Sequence, residues 1–516
     1  MTSDLKAEFL NYDSIEKERI MYELKTLNHL LAFIDRLVGK ISIKKGQNAI
    51  ISVSAFGMMM TSFCKFSYFT ERLSHYGIHQ NMVNITSSVI FFVFLILIFA
   101  SLDMSDNKDV RLNAWLGIPL FLVIISYTVT GIVEKAPKQL VWAFIYSLIF
   151  VPISYRLASK KNRKIFIDGI AIGIAIFGVL ILFLNIIFSP MVAKTSFSIA
   201  RYTGVLTNPT ILGFYLNVFI VVYAYIIYKI VFVEKNVLEN VSNLIVFSIA
   251  VWGMGMSWFA ILMTKSRGSF LGILSILLFY TIIVMKGIFK SHLTIKNTAI
   301  IFVITVTMLA TAYKISDNIL KRDLRALKIK ENYTISQMMF GRIKEMSNFK
   351  DVDEYHFAYM EPKNLTEAQR KIWGDLDKLT THRIWIWYIY SQHLGFIGHK
   401  SRTFIIPGYT KGFERQSHNA ILEVTFNGGY IAGFGFLLIE ITTGIYALII
   451  LFRKKEYTDN NLEMLFLSLA AIAFCVNGIF STINTLTTYS ITMMYYMALT
   501  TVGFRKSDES LTTTKQ

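Results

Sequence analysis

Charged residues are scarce in this chain of 516 residues, since Asp, Glu, Lys and Arg make up 17% of it, against ~25% in soluble proteins. Hydrophobic residues make up 54% and aromatic residues 14%, and the mean hydropathy is +0.49. There are two cysteines, Cys64 and Cys475, and their spacing matches no metal or redox motif. These scarcities exclude a soluble domain and a cysteine-based metal site, and they indicate a membrane protein.

Twelve stretches approach the ~20 apolar residues that a membrane-spanning helix needs. They are residues 48–63, 82–102, 112–133, 139–155, 165–188, 210–228, 244–263, 270–285, 297–313, 424–452, 462–480 and 488–504. We therefore predict an all-α polytopic membrane protein with about twelve transmembrane helices and one large extracytoplasmic loop that contains short helices. In this division residues 47–313 form helices one to nine, 314–423 the loop, and 424–504 helices ten to twelve.

The short loops predict the orientation, because Lys and Arg resist translocation. With a cytoplasmic N-terminus, the inside loops hold Lys108, Arg111, Arg156, Lys160, Lys161, Arg163, Lys164, Lys229, Lys235, Lys286, Lys290, Lys296, Arg453, Lys454 and Lys455. The outside short loops hold fewer, namely Lys65, Arg72, Lys135, Lys138, Lys194, Arg201, Lys265 and Arg267. We expect both termini, residues 1–46 and 505–516, in the cytoplasm. The net charge of +18 then reflects topology and an anionic ligand outside, and we expect no nucleic-acid partner.

The N-terminal segment and the long loop carry further patterns. Leu27, Leu30, Leu31, Ile34, Leu37, Val38 and Ile41 have the spacing of an amphipathic helix, which would lie on the inner leaflet or dock on a partner. A basic run from Lys321 to Lys330 is typical of a solvated face. A short aromatic helix is predicted from Arg383 to Gly395 and Gly398, at the outer leaflet. Ser417 is predicted as the N-cap of the tenth helix, with Asn419 in its first turn.

Four basic side chains would meet on the outer face, namely Arg201, Arg267, Arg383 and His418. Arginine forms bidentate bonds with phosphate oxygens, so three arginines suit a diphosphate. Histidine titrates near ~6.5 and can accept a proton from a sugar hydroxyl. Each residue also has an ordinary interpretation: Arg267 could contact lipid phosphates, Arg201 could be a plain loop arginine, and His418 could be a hydrogen-bonded surface histidine. No carboxylate pair or Asp-rich motif suggests a metal in the outside loops.

The ordered motifs RYTGVLTNPTILGFY, TKSRGSFLG, HRIWIW and SHNAILEVTFNGGYIAGFGF resemble the O-antigen ligase and O-antigen polymerase superfamily. The resemblance runs from about residue 165 to residue 504. It implies a bacterial cytoplasmic-membrane enzyme that uses an undecaprenyl-pyrophosphate-linked glycan donor and a glycan acceptor, among membrane lipids and other polysaccharide-assembly proteins. Arg201 and Arg267 would bind the pyrophosphate, while Arg383 and His418 would be catalytic, without a metal or cofactor. The long charged N-terminus and residues 314–378 depart from the family pattern.

Three functions are compatible with this pattern. The first is a polymerase of lipid-linked repeat units for a capsule, an exopolysaccharide or an O-antigen. The second is a ligase that passes finished glycan to lipid A core or another acceptor. The third is a flippase or transporter without enzymatic activity. Transporters place functional charges near the membrane midplane, whereas the cations here are predicted at the outer rim, which favours an enzyme.

Overall fold

A computed structural model of the chain describes residues 46–482 and 504–506. Within the first range it leaves out 104–109, 148–150, 189–191, 195–199, 291–294, 327–332, 339–365, 401–416 and 454–456, together with a few single or paired positions. The predicted amphipathic helix at Leu27–Ile41, the twelfth predicted span at 488–504 and most of the predicted loop between 327 and 382 therefore lie outside the described residues.

The described chain is mainly helical. Its helices are α1 (Gln47–Phe66), α2 (Tyr68–Ser74), α3 (Gln80–Ser101), α4 (Ala114–Val133), α5 (Pro137–Ile145), α6 (Val151–Arg156), α7 (Lys160–Ile187), α8 (Pro209–Tyr228), α9 (Val241–Thr264), α10 (Arg267–Lys290), α11 (Ile295–Ala326), α12 (Glu367–Thr380), α13 (Arg383–Gln392), α14 (Ala420–Gly428), α15 (Tyr430–Arg453) and α16 (Leu462–Phe480). The strands are β1 (Val110–Leu112), β2 (Val192–Lys194), β3 (Ala200–Tyr202) and β4 (Phe504–Lys506). A π-helix, Lys229–Glu234, continues α8.

Within the described residues, nine helices are long and apolar enough to cross a membrane: α1, α3, α7, α8, α9, α10, α11, α15 and α16. A shorter apolar stretch, Gly117–Val133, lies within α4. These helices coincide with nine of the twelve predicted spans, so a helical multi-pass membrane protein is confirmed as the fold class. The count of twelve stays a prediction. For the fourth predicted span, 139–155, the structure describes two short helices, α5 and α6.

The helices form one bundle with α8 at its centre, packed against α7, α9, α10 and α16. Nearly every residue of α8 is buried. The two ends of the bundle are named here after α16, which begins at Leu462 and ends at Phe480. At the Phe480 end, α7 and α9 finish and α8, α10 and α15 begin. At the Leu462 end, α7 and α9 begin and α8, α10 and α15 finish.

Polar contacts tie the helices together at the Leu462 end. Arg156 is buried, and its guanidinium donates to the carbonyls of Phe99 and Leu102 at the end of α3. Asp168 accepts from Tyr225 Oη at 2.7 Å and from Lys229 Nζ at 2.8 Å. The described Lys and Arg residues of the predicted inside loops also belong to segments at this end. The structure thus agrees with the predicted alternation of loops, while the side that faces the cytoplasm stays a prediction.

Two short antiparallel sheets supplement the helices. Strand β2 pairs with β3, with Ala193 opposite Arg201, and β1 pairs with β4, with Arg111 opposite Arg505. The second pairing joins the segment after α3 to the C-terminal tail, and the sequence patterns did not predict either sheet. These four strands have three residues each, so the described chain stays compatible with the predicted all-α class.

The helices on both sides of the predicted loop differ in their ends from the predicted spans. Helix α11 continues to Ala326, so residues 314–326 are helical rather than loop. The tenth predicted span is two helices, because Gly429 breaks it with a φ of +93°. A Cβ at Gly429 would lie 2.1 Å from the carbonyl oxygen of Phe396, and one at Gly433 would lie 1.9 Å from Thr425 Oγ1. Glycine at both positions lets α14 pack closely on α15, and the long apolar helix begins at Tyr430 rather than at residue 424.

Candidate functional site

Arg201 lies on β3, in the hairpin between α7 and α8 at the Phe480 end. Its Nε donates to the carbonyl oxygen of Thr264 at 3.1 Å. Thr264 is the last residue of α9, so this bond joins the hairpin to the turn between α9 and α10. The two motifs that contain Arg201 and Arg267 are therefore neighbours in space, although 66 positions separate them in the sequence.

The turn between α9 and α10 is very tight. Lys265 takes the left-handed conformation, with a φ of +54°, and Arg267 is already the first residue of α10. The hydroxyl groups of Ser266 and Ser269 are 3.0 Å apart, and both residues are buried. A Cβ at Gly213 of α8 would lie 2.5 Å from Ser269 Oγ. This close packing of α8 against α10 fixes the turn, and with it the backbone of Arg267 at the helix N-terminus.

The hairpin of Arg201 is anchored from two further helices. Asn185 Oδ1, near the end of α7, accepts a 2.8 Å hydrogen bond from the backbone N–H of Val205. Arg322 of α11 donates to the carbonyls of Asn185, Ile186 and Phe188 at the end of α7. It is also 3.3 Å from the buried Asp323. The interpretation of the basic run as a solvated face is therefore wrong for Arg322.

Tyr202, next to Arg201, is buried beside this ion pair. Burial and the Asp323 carboxylate raise the pKa of the Tyr202 hydroxyl above its ordinary value. Tyr202 therefore stays neutral at physiological pH. Arg201 thus stands on a strand whose next side chain, Tyr202, is buried in the protein.

His418 lies in the turn that leads into α14. Asn419 is the N-cap of this helix, and its side chain accepts from the backbone N–H of Leu422 at 3.0 Å. The prediction that Ser417 is the N-cap is wrong, because Ser417 is buried and bonds to Glu423 instead. His418 has a φ of +54° and is partly exposed. The capping interpretation therefore accounts for Asn419 and does not account for His418.

The end of α16, at Ile479 and Phe480, contacts three of the segments that carry the predicted residues. Arg383 Cζ lies 6.0 Å from the centroid of the Phe480 ring. A Cβ at Gly268 would lie 2.8 Å from Phe480 Cβ, so the start of α10 packs directly on this residue. Asn419 Nδ2 donates to the backbone carbonyl of Ile479, the residue before Phe480, at 3.3 Å.

These contacts bring all four predicted residues to one end of the bundle. Arg201 bonds to the end of α9, and Arg267 precedes the glycine that packs on Phe480. Arg383 faces the Phe480 ring. His418 precedes the asparagine that bonds to Ile479. We call these four residues, with Phe480, the candidate site. Three arginines and a histidine on segments at one end of the bundle are residue types that suit a multiply charged anion.

The aromatic helix α13 is attached to the protein by one face. Ile386 and Tyr390 are buried against Phe426 of α14, with the Tyr390 and Phe426 rings 5.1 Å apart. The helix begins at Arg383, as predicted, and ends at Gln392, before the predicted glycines. Its packing fixes Arg383 relative to α14 and therefore relative to His418.

Two members of this region were not predicted from the sequence. Glu423 is only 4% exposed and lies in the first turn of α14, at the last position of the predicted loop, where a lone glutamate forms no carboxylate pair. Phe480 ends an apolar span and resembles many other aromatic residues of this chain. The only sequence signal for Glu423 was its position six residues after Ser417 in the last motif.

Among the described residues, no group of three His, Cys, Asp or Glu side chains could hold a metal ion. Comparison with protein-family models, curated proteins and solved structures finds no match for this chain. The resemblance to O-antigen ligases and polymerases thus depends on the four motifs, and it stays a prediction.

Proposed function

We propose that this protein is a membrane glycosyltransferase that polymerises undecaprenyl-pyrophosphate-linked oligosaccharide repeat units. The reaction would take place at the outer face of the bacterial cytoplasmic membrane. The observation that supports the proposal is that the segments carrying Arg201, Arg267, Arg383 and His418 all lie at the Phe480 end of the bundle. These residues come from four separate segments, and they are the same four that the motifs single out.

The chemistry follows from these side chains. Arginines bind the diphosphate of the donor, and each charge-assisted bond contributes about 1.5–3 kcal/mol. His418 accepts the proton of an acceptor hydroxyl. The hydroxyl oxygen then forms the new bond to the anomeric carbon, and the carbon–oxygen bond to the diphosphate breaks. The bonding electrons leave with the diphosphate, whose growing negative charge the arginines stabilise. No metal or cofactor is needed for this sequence of steps.

The direct test removes one side chain at a time. We expect Arg267→Ala or His418→Ala to abolish chain extension, because each removes a group that acts on the donor or acceptor. The proteins should still insert and accumulate, which membrane immunoblotting measures alongside a size analysis of surface glycan. Lys328→Ala is the control and should have little effect. Full activity of the His418→Ala protein would refute the catalytic role of His418.

A ligase would need the same diphosphate site, so the acceptor must separate the two activities. The informative experiment deletes the gene and resolves the surface glycan by size. Single repeat units capped on lipid would support the polymerase. Full-length chains that stay on the carrier lipid would support transfer to lipid A core or another acceptor.

Two observations favour a transporter as the second candidate. Glu440 lies near the middle of α15, and Gly429 breaks the helical path between α14 and α15. Charges at mid-membrane and interrupted helices are typical of transport sites. Purified protein in liposomes distinguishes the candidates, because a transporter moves a lipid-linked glycan across the bilayer without changing its length. An enzyme changes the length and releases the carrier diphosphate.

A further inference from the structure

Glu423 is a buried carboxylate that hydrogen-bonds to the turn beside His418 and to Asn427 of its own helix. Its Oε2 accepts from the backbone N–H and from the hydroxyl of Ser417, each at 3.1 Å. Its Oε1 accepts from Asn427 Nδ2 at 3.2 Å. Ser417 is fully buried, and its hydroxyl also bonds to the backbone carbonyl of Asn419 at 2.8 Å. Burying a charged group costs free energy. A buried carboxylate therefore needs several hydrogen-bond donors around it, as Glu423 has here.

These bonds fix the residues before and after His418 in the sequence. Ser417 precedes it and is bonded to Glu423, while Asn419 follows it and caps the same helix. His418 itself adopts a left-handed backbone conformation that residues with a Cβ rarely take. Such a conformation persists only where the surroundings enforce it, and it often occurs at functional sites. The turn therefore depends on the Ser417–Glu423 contact for its shape.

We propose that Glu423 is a positioning residue that holds the His418 imidazole against the acceptor hydroxyl, an inference that rests on the proposed glycosyl transfer. Glu423 acts through the backbone of the Ser417–Asn419 turn. It takes no proton from substrate, because its oxygens are occupied by Ser417 and Asn427. Its loss changes the rate of the chemical step and leaves donor binding to the arginines unchanged.

The test is a double-mutant cycle between Glu423→Gln and His418→Ala. The substitution to Gln keeps the size of the side chain and places an N–H₂ group where an acceptor is needed. A displacement of the base by ~1 Å lowers the rate by about 10²-fold, so we expect a fall of that order in kcat with an unchanged KM for the lipid-linked donor. His418→Ala should extend no glycan in cells, so the cycle compares residual kcat values of purified proteins over long incubations. There the double variant should have the same residual kcat as His418→Ala alone, because Glu423 acts only through His418.

Glu463→Gln is the matched control. Glu463 is also a buried glutamate in the first turn of a helix, α16, but at the Leu462 end. It should keep the wild-type kcat. If Glu423→Gln fails to accumulate, Ser417→Ala replaces it, since this change removes one donor and keeps the carboxylate. Ser417→Ala should lower kcat to a smaller extent, again without effect in the His418→Ala background.

The outcomes separate this inference from the proposed function. Wild-type kcat in Glu423→Gln, or in Ser417→Ala where that variant is used, overturns the role of Glu423 if His418→Ala is inactive. Losses that multiply in the double variant also overturn it, since they show independent effects. Full activity in His418→Ala refutes the catalytic histidine itself, and the positioning role falls with it.

Discussion

Gly268→Ala should lower activity without removing any functional group. The added Cβ would lie 2.8 Å from Phe480 Cβ, whereas carbon atoms in contact are normally ~3.5–4.0 Å apart. The start of α10 and the end of α16 must therefore separate by about 0.7–1.2 Å. This movement carries Arg267 away from Phe480, and hence from Arg383. A misplacement of ~1 Å lowers a rate by about 10²-fold, so we expect a loss of that order in glycan extension.

The assay compares chain extension per amount of protein in the membrane. Overpacking of this kind costs about 1–3 kcal/mol of stability, which a fluorescence melting curve in detergent measures separately. Gly444→Ala in α15 is the control, because its Cβ would meet Cys475 Sγ at an ordinary 3.8 Å. Wild-type extension in a stable Gly268→Ala protein would refute the idea that the Gly268–Phe480 contact sets the geometry of the site.

Two further predictions concern residues outside the catalytic pair. Arg322→Gln should lower activity at least several-fold, because it frees the carbonyls that end α7 beside the hairpin of Arg201. Lys321→Ala, which removes an exposed pair with Asp317, should be neutral in the same glycan assay. Asn217→Leu should raise the melting temperature, since within the described structure both polar atoms of this fully buried side chain have no hydrogen-bond partner. An unpaired buried amide costs about 1–3 kcal/mol, and a lower melting temperature would show that Asn217 is satisfied.

The helices of the bundle could be predicted largely from the sequence, because hydropathy over a window of ~20 residues reports burial in lipid directly. Helix α16 matches its prediction at both ends, and α8 differs by one residue at its start. The break at Gly429 was missed for a physical reason. The break depends on the close approach of Phe396, which is distant in sequence, and a hydropathy window contains no information about that contact.

The residues of the candidate site could likewise be predicted only in part from the sequence. Arg267 could be selected because it lies in a very short hairpin, where an arginine must be near the membrane surface, and Arg201 because of its motif. Phe480 could not be selected, since its importance comes from its contacts with Arg383 and with the start of α10, which are distant in sequence. Glu423 could not be selected because a lone glutamate at the end of the predicted loop carries no sequence signal for its bonds to Ser417. Arg322 was misjudged because its three acceptors are backbone carbonyls, which carry no sequence signal.

The most direct test of the central claim uses purified protein in nanodiscs with an undecaprenyl-pyrophosphate-linked oligosaccharide and a metal chelator. The account predicts that longer lipid-linked glycans form and that undecaprenyl pyrophosphate is released, and that both products disappear with Arg267→Ala. An unchanged donor in the presence of the intact wild-type protein and a supplied acceptor would contradict the account. Equal product formation by wild-type and Arg267→Ala proteins would contradict it as well.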